Sequence, residues 1–184
     1  MSPSGKASAF GADIRGFESL HPSQAKSSLF GLVFVMIRIM IDTIIFDWKR
    51  TLYDPETKTL IKGADKVLDA FSQQNVKMVL IGKGGADMDK VLDELSARKY
   101  FSEVHFVPTK SDELFEKFIS KDNPASTLVV GDRAQGEIAI GKSLGAKAVW
   151  LRAGEFKDEL PLSDVLAPDW TIGDIEELLS LTYN

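Results

Sequence analysis

Apolar residues recur along this chain in two alternating rhythms. Thr43-Ile-Ile-Phe46, Lys77-Met-Val-Leu-Ile81, Val104 to Val107, Leu128-Val-Val130 and Ala148 to Leu151 are short apolar runs rich in β-branched residues. Runs this apolar read as strands covered on both faces. Between them, Ala64, Val67, Leu68 and Phe71 fall at i, i+3, i+4 and i+7, and Met88, Val91, Leu92 and Leu95 repeat that spacing. This is the stripe of a helix packed on a sheet. Leu114, Phe115, Phe118 and Ile119 form a third stripe, Glu137 to Leu144 reads as a helix, and Ile175 to Leu181 as a closing one. Asp54-Pro-Glu-Thr-Lys58 is polar and reads as loop or turn. The alternation predicts a three-layer α/β/α, Rossmann-like domain over residues 40–184 with a parallel sheet of about five strands.

The first 39 residues follow neither rhythm. They are rich in Ser, Gly and Ala up to Lys26, and Leu29 to Ile37 is then an unbroken apolar run. That run is short of the ~18 uncharged residues needed to span a bilayer, and Arg38 and Asp42 follow it. No membrane span is expected, and residues 1–39 read as a flexible extension or a misassigned start, with Met36 or Met40 as alternative beginnings. Of the two histidines, His21 lies in this leader and His105 within a strand, so neither is a strong candidate catalyst.

Composition narrows the chemistry. The chain of 184 residues is 44% apolar and 27% charged, with 27 acidic against 22 basic residues and a formal charge of −5. These proportions describe an ordinary globular domain and give no overall basic footprint for nucleic acid. There is no cysteine, which excludes disulfides, thiolate metal sites and thiol nucleophiles and suits a cytoplasmic location.

Chemistry in an open parallel sheet belongs at the carboxyl ends of the strands. Two carboxylates stand there: Asp47 directly follows Ile44-Ile-Phe46, and Asp132 follows Leu128-Val-Val-Gly131. An unpaired carboxylate buried in a core costs several kcal/mol, so each is either a helix cap or a functional group. Asp132 alone reads as a cap after the Gly131 turn. Its pairing with Asp47 favours function.

The segment Ile44-Ile-Phe-Asp47-Trp-Lys-Arg-Thr51-Leu-Tyr resembles the first motif of the haloacid dehalogenase (HAD) superfamily. Val129-Val-Gly-Asp132-Arg-Ala-Gln-Gly-Glu137-Ile is similar to its fourth motif, and Lys110, in Val107-Pro-Thr-Lys-Ser-Asp-Glu, falls where the third places its lysine. Pro168-Asp-Trp-Thr-Ile172 and the segment after it resemble the family's last strand and helix. The resemblance implies a phosphatase in which Asp47 is the nucleophile and forms an aspartyl-phosphate. It implies Mg2+ held by Asp47, the backbone carbonyl of Lys49, Asp132 and Glu137, an oxygen-only set suited to a hard cation. Thr51 would hydrogen-bond near the nucleophile, and Lys110 would pair with Asp47 and the phosphoryl oxygens. A solvated loop lysine is the alternative reading of Lys110. The first and fourth strands must then lie side by side, because Asp47 and Asp132 would share one metal.

Two positions depart from the family's pattern. Lys49 stands where these phosphatases carry the Asp that protonates the leaving group. At the end of the second strand, where a Ser or Thr hydroxyl would meet phosphate, the chain reads Gly82-Lys-Gly-Gly85. Backbone N–H groups there and the Lys83 ammonium are the remaining phosphate-binding candidates. Trp48 and Tyr53 read as ligand-stacking residues or as packing. The segments between Asp47 and Gly82, and between Gly82 and Lys110, are filled by loop, helix and strand, with no room for a separate cap domain. The expected partner is a phosphorylated small molecule or macromolecule, and an open site of this kind is compatible with a homo-oligomer. With the acid/base residue absent, a catalytically impaired relative that binds a phosphorylated ligand or a protein is the alternative.

Overall fold

The computed structural model describes residues 41–181. The expectations for residues 1–39, including His21 and the Leu29 to Ile37 run, lie outside the described residues. In chain order the elements are β1 (Thr43–Phe46), β2 (Tyr53–Asp54), β3 (Thr59–Leu60), α1 (Ala64–Gln73), β4 (Lys77–Lys83), α2 (Ala86–Glu94), β5 (Glu103–Val107), α3 (Asp112–Phe115), β6 (Thr127–Gly131), α4 (Ala139–Ser143), β7 (Lys147–Leu151) and β8 (Trp170–Ile172), closed by a 3-10 helix at Ile175–Ser180.

Six strands form one sheet in the order β5-β4-β1-β6-β7-β8, all pairs parallel. The chain winds outward from β1 through β4 to β5, then returns to the other side of β1 and continues through β6, β7 and β8. The strand order therefore reverses at β1, with β4 and β6 as its neighbours, and this is where an open α/β sheet binds ligands. The expected adjacency of the 43–46 and 128–130 strands is present, with Phe46 beside Val130.

Side-chain alternation divides the core between the two faces. Ile44, Phe46, Met78, Leu80, Leu128 and Val130 pack with Val67, Leu68 and Phe71 of α1 and Leu92 of α2. Ile45, Val79, Ile81 and Val129 point the other way, onto Phe115 and Ile119. Burying each such side chain contributes ~1.5–3 kcal/mol. The three layers follow from central strands that bury apolar side chains on both faces.

Four details differ from the sequence reading. The sheet has a sixth strand, β8, beyond the count of about five. A β2–β3 hairpin frames the polar 54–58 stretch. Helix α3 ends at Phe115 instead of running through Ile119, although Phe115 and Ile119 are both buried. The closing segment is a 3-10 helix, started by an Asp174–Glu177 capping box. Among the described residues, no helix is long and apolar enough to cross a membrane.

The sheet edge at β8 is tied down electrostatically. Asp169 accepts hydrogen bonds from the Ala148 N–H (2.9 Å), Lys142 (2.8 Å) and Lys147 (3.1 Å). Burial pushes its carboxyl up, but the Lys142, Ala148 and Lys147 hydrogen bonds outweigh it and hold the pKa below the ordinary 3.8. Asp169→Asn is expected to lower unfolding free energy by about 1–3 kcal/mol. A folded pKa below the unfolded one means that this stabilisation is present above about pH 4 and is lost as pH falls through the folded value. Denaturant titrations of both proteins from pH 7 to pH 2 should therefore show the difference shrinking only at the acid end.

Candidate active site

Strand β1 ends by handing Asp47 to the switch point, its N–H bonded to the Val130 carbonyl at 2.9 Å. The chain then turns sharply. The Trp48 carbonyl accepts the N–H groups of Leu52 (3.0 Å) and Tyr53 (2.9 Å), and Arg50 sits in the left-handed region at φ 64°, a conformation that costs a non-glycine residue about 1 kcal/mol. This turn swings buried Thr51 back, so that its hydroxyl donates to Asp47 Oδ2 at 3.2 Å. Trp48 is fully buried beneath the turn, stacked on Tyr53 with ring centroids 5.3 Å apart. Both aromatics are packing residues, which settles the choice between packing and ligand stacking.

Strand β6 presents Asp132, whose carbonyl accepts the Trp150 indole N–H at 2.9 Å. The following turn is wound as one π-helical loop over Ala134–Ile138, with Gly136 at φ −105°, ψ −118°. It folds Glu137 back over Gly131. A Cβ on Gly131 would lie 2.1 Å from Glu137 Oε1, so glycine is required there. Glu137 Oε1 accepts the Arg133 N–H at 2.9 Å.

The loop after β5 brings Lys110 between the two clusters. Its ammonium donates to Asp47 Oδ1 at 2.5 Å and to Glu137 Oε2 at 2.7 Å, and its side chain is only 13% exposed. Lys110 is thus a buried, doubly paired cation, which excludes the solvated-loop alternative. Burial alone would lower its pKa, but the Asp47 and Glu137 carboxylates outweigh that and hold the ammonium above its ordinary value.

Asp47, Asp132 and Glu137 place oxygens within 4.8 Å of one another, and all three are nearly fully buried. Three carboxylates therefore face one paired ammonium. Burial, followed by the charges of Asp47 and Glu137, pushes Asp132 up to about 8. Burial also raises Glu137, against the opposing pull of Lys110. Asp132 Oδ2 is buried with no hydrogen-bond partner, the one buried unpartnered oxygen of the cluster among the described residues. An all-oxygen donor set, an excess of negative charge and an orphaned carboxylate oxygen together fit a divalent hard cation. The carbonyl-bearing Lys49 lines the same cavity of about 510 Å³, as do Lys83, Arg133 and Phe156.

The Gly82–Gly85 turn offers less than its composition suggests. The Gly84 N–H is bonded to the Val107 carbonyl at 3.0 Å, and the Gly85 N–H to Asp87 Oδ1 at 3.2 Å. Two of the turn's amides are therefore taken, and Lys83 is its main offering to an anion. Gly82 has a packing reason: a Cβ there would meet Phe106 at 2.7 Å and Trp48 Cβ at 2.8 Å. The missing hydroxyl therefore has a packing counterpart, since the Phe106 ring and Trp48 Cβ take the space a Ser or Thr Cβ would need. His105 lies away from the site, beside Glu103 and against the Phe118 ring.

Sequence reasoning missed the rim. Arg50 pairs with Glu155 and Arg133 with Glu159 at 2.9 Å, and both guanidiniums lie over the Phe156 ring, at 5.1 and 4.4 Å. The segment between β7 and β8 is thus strapped across the mouth. The positions of Arg50 and Arg133, just past Asp47 and Asp132, were the available signal, whereas nothing local marks Glu155, Phe156 or Glu159.

Two substitutions test this packing. Gly131→Ala should displace Glu137 and weaken divalent-cation binding by about 10–100-fold, read by calorimetric titration with Mg2+. Gly82→Ser should lower stability by about 1–3 kcal/mol through overpacking against Trp48 Cβ and the Phe106 ring, and a Gly82→Ser/Phe106→Leu double variant should lose less than the sum of the two single substitutions in a denaturant titration.

Comparison with known proteins agrees with this geometry. Residues 107–178 match the HAD-hydrolase-like family model, a span that contains Lys110, Asp132 and Glu137. No curated protein sequence matches the chain significantly. Similar solved structures include YfnB from Bacillus subtilis, described as a HAD-hydrolase bound to magnesium, at 15% identity and TM-score 0.63 over 77% of this chain and 100% of that one. A haloacid dehalogenase-like family hydrolase from Xanthomonas campestris aligns at 12% identity and TM-score 0.63 over 77% and 94%. A predicted phosphoglycolate phosphatase from Haemophilus somnus aligns at 20% identity and TM-score 0.54 over 67% and 57%. The six-stranded parallel sheet thus has the fold of HAD-superfamily structures, and residues 107–178 match the HAD-hydrolase-like family model.

Proposed function

We propose that this chain is a Mg2+-dependent hydrolase of phosphate esters that works through an aspartyl-phosphate on Asp47, with no cap domain over the site. The observation that carries the reading is the convergence of Asp47, Asp132 and Glu137 within 4.8 Å around an unpartnered Asp132 oxygen, with Lys110 bonded to the nucleophile. Asp47, Asp132, Glu137 and the Lys49 carbonyl would hold the ion. Mg2+ bound there supplies the charge neutralisation that lets an anionic nucleophile approach an anionic phosphate.

In this reading an Asp47 carboxylate oxygen attacks phosphorus as the ester P–O bond breaks. The leaving oxygen takes a proton from water or from the Lys49 ammonium. Water then attacks the phosphorus of the aspartyl-phosphate, inorganic phosphate departs, and the Asp47 carboxylate is restored with loss of a proton to solvent. Thr51 holds one Asp47 oxygen in place. Lys110 stabilises charge on the transferring phosphoryl oxygens without reorganising, because Asp47 and Glu137 already fix it. Lys83 adds positive charge at the mouth, beside Gly82, where backbone alone stands in for the family's hydroxyl. A cytoplasmic setting fits a chain without cysteine.

A second reading is a phospho-ligand-binding protein that has lost turnover. Lys49 at the acid/base position and the space closed to a hydroxyl at Gly82 favour it. Leaving-group chemistry separates the two. p-Nitrophenolate departs without protonation, whereas an alkoxide needs an acid, a contribution of about 10²–10⁴ in rate. The enzyme reading predicts Mg2+-dependent hydrolysis of p-nitrophenyl phosphate by the native chain, loss of at least about 10³-fold in Asp47→Asn, and a larger gain on alkyl than on aryl phosphates in Lys49→Asp. Activity confined to Lys49→Asp supports the binding reading. Full activity in Asp47→Asn contradicts the site assignment.

A further inference from the structure

The register of β1 against β4 places Phe46 beside Leu80. Two residues further on, Trp48 stands beside Gly82, as the 2.8 Å approach to Trp48 Cβ shows. Lys49 and Lys83 are the next residues in the two segments, and both line the cavity that holds the carboxylate cluster.

The other cations on this cavity are each neutralised from within the domain. Lys110 is bonded to Asp47 and Glu137, Arg50 to Glu155 and Arg133 to Glu159. Lys49 and Lys83 have no carboxylate partner among the described residues. Among the described residues, two ammoniums lining a cavity of about 510 Å³ are therefore left uncompensated, and the cavity is within the size range of small-ligand sites and larger than one phosphate requires.

We propose that Lys49 and Lys83 form a second anion subsite, and that the substrate is a small phosphomonoester carrying a second phosphate group. One phosphate sits against Asp47 and Lys110, and the other between the two free ammoniums. A dianionic phosphate matches a pair of point charges, which lysine supplies without the planar constraint of arginine. On this account Lys49 stands at the acid/base position for substrate selection. The inference rests on the phosphate-ester reading of the main site.

The test uses phosphonates, whose P–C bonds this chemistry does not cleave. Dissociation constants of 1,2-ethane- and 1,3-propane-bisphosphonate and of ethyl- and propylphosphonate are measured by calorimetry with Mg2+ on the full chain, on Lys49→Gln and on Lys83→Gln. The native chain should bind at least one bisphosphonate about tenfold tighter than its monophosphonate, as two exposed ion pairs at the upper end of their range allow. Each substitution should reduce that ratio to about twofold or less, a comparison in which chelation of Mg2+ by the ligand cancels. A native ratio near one, or a ratio untouched in both variants, overturns the proposal while monophosphonate binding keeps the main-site reading intact. Absence of binding by every phosphonate overturns both.

Discussion

The structure turns on one electrostatic constraint: Asp47, Asp132 and Glu137 are buried together with a single ammonium, Lys110, to hold them. Burial, and after it the charges of Asp47 and Glu137, drives Asp132 up to about 8. Lys110 bonds to only two of the three. Asp132 keeps a buried oxygen without a partner. Such an arrangement is costly for an isolated domain and makes sense when a divalent cation completes it, because the same burial that penalises bare carboxylates strengthens their attraction to the ion.

Backbone details around the cluster serve that constraint. Parallel pairing of β1 with both β4 and β6 fixes Asp47 and Asp132 side by side, so their separation depends on the rigid centre of the sheet instead of a loop. Gly131 leaves the space Glu137 occupies, and the π-helical loop after it returns that side chain to the strand end. On the β4 side, Trp48 closes the gap that a hydroxyl-bearing residue would use at Gly82. Asp47, Lys110, Asp132 and Glu137 converge on one point, whereas Lys49 and Gly82 are the positions that depart from the family's pattern.

Much of this was legible in the sequence because the physics behind it is local. Continuous apolar runs marked five of the six sheet strands to within two or three residues, and the stripe Ala64, Val67, Leu68, Phe71 is wholly buried as its spacing required. Carboxylates immediately after apolar runs gave Asp47 and Asp132, since a core offers them no partner. What stayed hidden was decided by tertiary contacts. Periodicity did not mark β8, whose three residues run from partly buried to exposed to buried; only the resemblance of Pro168–Ile172 to the family's last strand pointed to it, and it forms where β7 offers an edge and Asp169 anchors it. The short α3 and the 3-10 closing segment depend on packing that periodicity does not encode. The taken amide of Gly84, the rim pairs at Glu155 and Glu159, and the reason for Gly82 all join residues far apart in the chain.

The central claim is that the three carboxylates are built around a divalent cation. Mn2+ as a paramagnetic stand-in for Mg2+, titrated into the full chain and followed by electron paramagnetic resonance, tests it without reference to turnover. The account predicts one ion per chain, displaced by Mg2+, with affinity at least about tenfold weaker in Asp132→Asn and unchanged in His105→Ala. Absence of a stoichiometric site, or affinity untouched in Asp132→Asn, would contradict it.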